Sequence, residues 1–124
     1  MAEKPPTPQE LLAQLVLLVP EFSEAWKESD FLRDDGSFTA HGVFAEFSIY
    51  IRANIMQMPE KTRKAVFSLT EKCVRLEDDP ISGVSNAACT CFLENLSWEG
   101  EFSYVIMKYM GAKSKKYFKQ CMGM

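Results

Sequence analysis

The stretch CTCFLENLSWEG, Cys89 to Gly100, gathers side chains able to do chemistry: two thiols one residue apart, a carboxylate, an amide and a tryptophan. A structural zinc site closes a tetrahedron with four ligands, usually from C-x₂₋₄-C pairs or with histidines. Here the pair is C-x-C, Cys73 and Cys121 stand apart, and His41 is the one histidine of the sequence. On an α-helix, residues two apart point about 200° from each other, so Cys89 and Cys91 do not readily grip one ion. A redox pair favours C-x-x-C at a helix start, which is not the spacing here. The thiols are therefore expected to pack as small hydrophobes, Cys91 in the core, with Cys89 unassigned.

Other chemistries fail on ligand geometry or on missing partners. With Gly36 set at the glycine of a calcium loop, the ligand positions fall on Phe31, Arg33 and Asp35, and the twelfth on Gly42. With Gly83 there, they fall on Asp78, Pro80 and Ser82 and end on Cys89. The six glycines are scattered and form no phosphate loop. His41 precedes a strong helix, where it caps or packs, and no nucleophile motif accompanies it. Glu94 is expected in water or in an ion pair, and Asn95 on a backbone group of a neighbouring turn. The expectation is a non-enzyme without catalytic residues, metal or cofactor. An interhelical small-molecule pocket containing His41 or Glu94 is the alternative from the same residues.

Charge says more. The 124 residues are 47% hydrophobic and 25% charged, a balance that folds into one core without staples. A net charge of −3 argues against general nucleic-acid affinity, which relies on cationic neutralisation of phosphates. Residues 1–60 hold ten acids against four bases, whereas residues 61–124 hold seven acids against ten bases. The first half thus suits a cationic partner. Most of these charges are expected on solvated helix faces. The acid-bearing segments around Glu24, Glu28, Asp34, Asp35, Asp78 and Asp79 are the candidate protein-binding residues. Trp26 and Trp98 are placed near the surface, Trp98 as an aromatic anchor beside them. The tail GAKSKKYFK, with Lys113, Lys115, Lys116 and Lys119, offers a second reading as a nucleic-acid-binding or regulatory module. Its simpler explanation is an amphipathic helix with aromatics inward.

The elements that must position these residues all show a helical period. TPQE reads as a capping box, with Thr7 as N-cap, Pro8 at the first helical position and Glu10 three residues on, leading into Leu11, Leu12, Leu15 and Leu18. Pro20 ends that helix and opens another, in which Phe22, Trp26 and Ser29 share a side. RDDGS is a turn, with Gly36 able to take a positive φ. Ala40, Val43, Phe44, Phe47, Ile51 and Ile55 then give the clearest amphipathic stripe. Pro59 starts a helix striped by Val66, Leu69, Cys73 and Leu76; in EDDP, Asp79 is read as a cap and Pro80 as the first residue of the next. That helix turns Val84, Ala87, Ala88, Cys91, Phe92, Asn95 and Leu96 to one side, and SWEG breaks it. Phe102, Val105, Ile106 and Tyr109 form a short helix ending at Gly111, and Tyr117, Phe118 and Cys121 mark a last basic one. Nothing alternates with period two. The expected fold is all-α: a single compact domain over residues 1–124, of six or seven short helices and possible stacked helical hairpins, with a flexible segment at 1–6.

NAACTCFLENL followed by MKYMGAKSKKYFKQ resembles a family of small bacterial helical domains of unknown biochemistry. In it a FLENL-like helix precedes a G-x-x-S-[KR]-x-[YF]-like tail, here Phe92 to Leu96 and then Gly111, Ser114, Lys115 and Tyr117. The likeness covers the last third by motif and the rest in length and helical character. Such families resemble immunity proteins, which neutralise a bacterial toxin by binding it. The resemblance therefore implies a non-catalytic binding protein whose partner is a cognate toxin with a basic surface. Leu11 to Val19 is far shorter than the roughly 20 residues of a spanning helix, and MAEKPPTP lacks a signal-peptide pattern, so no membrane role and a cytoplasmic location are expected.

Overall fold

Helix ends, more than helix middles, decide how this chain is put together. In a computed structural model, residues 4–98 and 100–124 are described. They form α1 (Pro8–Leu18), α2 (Phe22–Lys27), α3 (Ala40–Asn54), α4 (Glu60–Val74), α5 (Val84–Ala87), α6 (Glu94–Leu96), α7 (Gly100–Met107) and α8 (Ala112–Cys121). A π-helical turn, Ala88–Leu93, joins α5 to α6 in one rod over 84–96, and a 3₁₀ turn, Ile55–Gln57, extends α3. No strand occurs among the described residues, and the fold is all-α.

The start of the chain behaves as its sequence dictates. The Thr7 hydroxyl accepts from the Glu10 amide (3.1 Å) and the Glu10 carboxylate accepts from the Thr7 amide (2.9 Å), which closes the capping box. Residues 1–3 of the segment expected to be flexible lie outside the described residues; Pro5 and Pro6 are half-buried in a groove that Leu69 and Leu76 also line. Gly36 takes a φ of 85°, as its turn requires.

Aromatic rings fill the centre. Phe92 lies 5.5 Å from Phe47, 5.6 Å from Phe44 and 6.0 Å from Phe67, and Phe22 meets Phe47 edge-on at 4.8 Å. All five are fully buried. Ala87 and Ala88 are buried too, and their small side chains let α3 approach the 84–96 rod. The π turn widens that rod by one residue, which carries Leu93 into the core beside Phe92. Side chains serve carbonyls at its borders: Thr90 donates to Asn86 O (2.9 Å) and Asn95 to Cys91 O (2.6 Å). Truncating Phe92 to Ala would remove the ring at the centre of this cluster, at a cost of about 3–5 kcal/mol.

Several expectations are corrected. Trp26 is buried, 6% exposed, because α2 folds back on α3 and its ring packs 5.0 Å from Phe38. On α4 the core face is Val66, Phe67, Thr70 and Cys73, with Leu69 only partly covered. Pro80 does not open a helix: Asp79 caps only the turn, accepting from Ile81 and Ser82, and α5 begins at Val84. Gly111 does not end α7, which stops at Met107; it is the N-cap of α8.

These last two helices share a device. Gly83 and Gly111 are N-caps with no side chain to offer, so a carboxylate from elsewhere does the capping. Asp78 accepts from the Val84 amide (2.6 Å) at the start of α5. Glu71, on α4, accepts from Ser114 (2.8 Å) and Lys113 (3.2 Å) at the start of α8, and also from Arg75 (2.7 Å). A Cβ on either glycine would fall on the capping carboxylate, so close approach explains both residues. At the other polarity, Arg63 of α4 donates to the carbonyls of Ile55 (2.9 Å) and Met56 (2.8 Å) where α3 ends.

Burial alone would push the Glu71 carboxyl up, but the amides of Ser114 and Lys113 and the Arg75 guanidinium outweigh it and hold it below the ordinary value. The buried Ser114 hydroxyl lies toward the same carboxylate without hydrogen-bond geometry. A carboxyl depressed on folding contributes stability that is present above its unfolded value and lost as pH falls through the folded one. Wild-type melting temperature should therefore hold near neutrality and drop as pH falls below about 4.5. Glu71→Gln should be less stable by about 0.5–2 kcal/mol at pH 7. The gap should narrow in acid, as followed by thermal unfolding at stepped pH.

Candidate functional site

Two helices define the frame of the site. His41 near the start of α3 bonds through Nε2 to Asn86 Oδ1 near the start of the 84–96 rod (2.8 Å). Further along, Asn95 Nδ2 donates to Ser48 Oγ (3.3 Å) and Arg52 Nη2 to the Asn95 carbonyl (3.2 Å). Contacts that advance together along both helices mean that they run parallel, so their first turns lie side by side at one end of the molecule. The segments entering those first turns are residues 28–39 and 75–83. Each is acidic: four acids against Arg33 in the first, three acids against Arg75 in the second.

This brings Glu28, Asp34, Asp35, Asp78 and Asp79 of the expected set to one end. They differ in what their carboxylates do. Asp34 is exposed and holds no partner among the described residues. Asp35 accepts from the Ser37 hydroxyl (2.7 Å) and amide (2.9 Å), and these bonds hold its carboxyl below the usual range. Asp79 is likewise held low by the amides of Ser82 and Ile81. Both are exposed, so each presents full negative charge to solvent at neutral pH while its turn stays rigid. Asp78, half-buried, serves the start of α5. Glu24 sits on the outer side of α2 against Lys27 (3.3 Å).

Trp98 does not join them. It follows α6 and is 79% exposed, but parallel packing puts it at the far end, near Arg52. The apolar groups that do stand among the acids are Phe31, 42% exposed, and Ile81, 80% exposed. Sequence reading passed over both. Their signal is an apolar residue inside an Asp-, Pro- or Gly-rich turn, out of register with every helical stripe. Phe31 is held where it is because the α3 backbone at Gly42 passes close beneath it, at 3.0 Å from a Cβ placed there.

A groove of about 380 Å³ opens beside this end, lined by Asp79, Pro80, Asn86, Cys89, Thr90 and Tyr117. Its chemistry is quiet. Burial, with Cys121 nearby, pushes the Cys89 thiol up to about 11, and burial also raises Cys121 and Tyr117. Both thiols are therefore protonated at neutral pH and poor nucleophiles. Cys91, expected in the core, is only partly buried and packs against its edge, Cys73 is the buried thiol, and all four cysteines are free. Among the described residues no group of three His, Cys, Asp or Glu side chains is placed to hold a metal ion. Glu94 is exposed and Asn95 makes the backbone bond expected of it, to Cys91. On α8, Phe118 is buried while Lys113, Lys116 and Lys119 are in water, an ordinary amphipathic arrangement. No described helix is long and apolar enough to cross a membrane.

The acids separate by role, and stability measurements should separate them the same way. Asp78→Ala removes the cap of α5 and should cost about 0.5–2 kcal/mol. Asp34→Ala should fall within about ±0.5 kcal/mol of wild type in urea unfolding, as an exposed change away from any cap.

No curated protein and no solved structure matches this chain. One family does, over residues 12–123, from the second turn of α1 through the end of α8. The all-helical architecture described above is thus the architecture of that family's domain in this sequence. The chain belongs to the family described as Domain of unknown function (DUF7674).

Proposed function

We propose that this protein is a non-catalytic, cytoplasmic binding domain that takes a basic protein partner on its acidic end. The observation that carries the reading is the convergence of two acidic turns beside exposed Phe31 and Ile81, on a frame held by the His41–Asn86 bond. An apolar anchor ringed by fixed carboxylates suits a cationic surface, with the charges speeding encounter and the anchors supplying burial. Because Asp35 and Asp79 are already held by their own turns, the surface loses little freedom on docking. The resemblance to immunity proteins gives the partner its class: a bacterial toxin whose active site or recognition surface is occluded. Trp98, at the other end, and Glu24, beside Lys27, fall outside the contact in this reading.

The test is co-expression with each gene flanking this one in its native genome, read as growth rescue from a toxic neighbour and as co-purification. Wild type should do both. Asp34→Lys combined with Asp79→Lys should weaken capture by at least about tenfold at low salt, an effect that shrinks as salt screens it. Ile81→Asp should weaken capture while leaving the melting temperature unchanged. Absence of both rescue and co-purification would dispose of the immunity reading. Salt-sensitive binding to DNA or RNA that is lost when Lys113, Lys116 and Lys119 become Glu would favour the nucleic-acid reading instead.

A further inference from the structure

Cations stand at the carbonyl ends of most long helices in this chain, and α1 lacks one. α2, α3, α4 and α8 each carry a lysine or arginine in the last turn, and Arg63 also serves the carbonyls where α3 ends. The last turn of α1 has no base. Pro20 has no amide to offer the Val16 carbonyl, and the Phe22 amide bonds to Val19 instead of reaching back to Leu18. The carbonyl end of α1 therefore keeps a partial negative charge, with no basic residue of its own to answer it.

That end opens on a groove of about 350 Å³, where the α1–α2 junction meets the end of α3 and the start of α4. Leu18, Val19, Pro20 and Met58 give it apolar walls, and Glu21 is the one charged side chain among the described residues that line it. Of the bases flanking Thr62 in sequence, Arg63 is held by the carbonyls of Ile55 and Met56, and Lys61 is exposed and outside the lining. Glu21 is exposed and makes no ion pair among the described residues. Tyr50 lies within electrostatic reach of it: burial and that carboxylate both raise the phenol above its ordinary value, so the hydroxyl is neutral beside a negative charge. The Tyr50 ring is set edge-on against Phe22 (5.7 Å), and its hydroxyl has no hydrogen-bond partner among the described residues. Asn54 donates through Nδ2 to the Tyr50 carbonyl (2.9 Å), which leaves Oδ1 to accept.

We infer that this groove binds a small organic cation of the alkylammonium class, its charge held by Glu21, the Tyr50 hydroxyl and the carbonyl end of α1, its hydrocarbon body on Val19 and Met58. An ammonium has three N–H donors and no acceptor, and the groove answers with a carboxylate, a hydroxyl and an amide oxygen. An anion would meet Glu21 and the α1 carbonyls with the wrong sign. The apolar walls suit a hydrocarbon body and not a bare metal ion. The volume lies in the ~300–1,000 Å³ range of small-ligand clefts. The site is independent of the acidic end, and either stands if the other fails.

The test titrates isotope-labelled protein at low salt with n-butylammonium chloride, sodium butyrate and n-butanol, probes that share a hydrocarbon body and differ in charge, and follows backbone amide shifts by NMR. Butylammonium should give saturable shifts at Val19, Glu21, Tyr50 and Gln57, with butyrate and butanol at least about tenfold weaker. Glu21→Gln should weaken the ammonium by about tenfold or more, and Tyr50→Phe, which keeps the ring against Phe22, by about threefold. Glu21 is exposed, so an unchanged melting temperature keeps its variant interpretable. Asp34→Lys should leave the titration intact, which separates this site from the acidic end. A second arm with N-acetyl-lysine amide tells a free amine from a partner's lysine side chain: the tighter of butylammonium and the lysine amide names the source, and either keeps the ammonium assignment. Equal response to butylammonium, butyrate and butanol, no saturable response, shifts centred on Asp34 and Asp79, or indifference to Glu21→Gln would each overturn it.

Discussion

One helix and the turn that leaves it satisfy the ends of three others, and the arrangement of the chain depends on them. From α4 and the turn that leaves it, Arg63 closes the carbonyl end of α3, Glu71 the amide end of α8, and Asp78 the amide end of α5. The signs follow the partial charges of helix termini, cation to carbonyls and carboxylates to amides. Each of these helix ends would otherwise leave polar backbone groups without side-chain partners of their own. The apolar core explains why the helices stay together. The charged caps explain why α5 and α8 begin where they do, and hence why the segments before them point as they do.

That division of labour also explains what was legible in the sequence. Helical stripes on α1, α2 and α3 came through because apolar period and local capping chemistry agree there: Thr7 and Glu10 are three residues apart, and Gly36 sits inside its own turn. The starts of α5 and α8 did not, because their caps are not local. Asp79–Pro80 and Gly111 carry ordinary boundary signals, while the carboxylates that decide the matter reach in from Asp78, six residues before Val84, and from Glu71, 43 residues before Ser114. The extra residue of the π turn is likewise invisible to a 3.6-residue period, and it hid the burial of Leu93. The candidate site was half legible. Asp34, Asp35 and Asp79 were in view as charges, but only the parallel packing of α3 with the 84–96 rod places their turns together and Trp98 apart.

The segments FLENL and GAKSKKY acquire a physical meaning from the same geometry. In the FLENL segment, Phe92, Leu93 and Leu96 are core, and Asn95 ties the π turn to α3. In the tail, Gly111 leaves room for Glu71, Ser114 supplies the amide it holds, and Lys115 and Tyr117 lie half-buried. Every role on this account is architectural. The exterior carries an acidic end with exposed Phe31 and Ile81, and a shallow apolar seam between α1 and α4.

Backbone hydrogen exchange tests the central claim most directly. If remote carboxylates start these helices, Glu71→Ala should speed exchange at Lys113, Ser114 and the following turn of α8 while the rod over 84–96 keeps its protection, and Asp78→Ala should do the converse at Val84 and Ser85. Uniform acceleration across the molecule in both variants, or unchanged protection at the two helix starts, would contradict it.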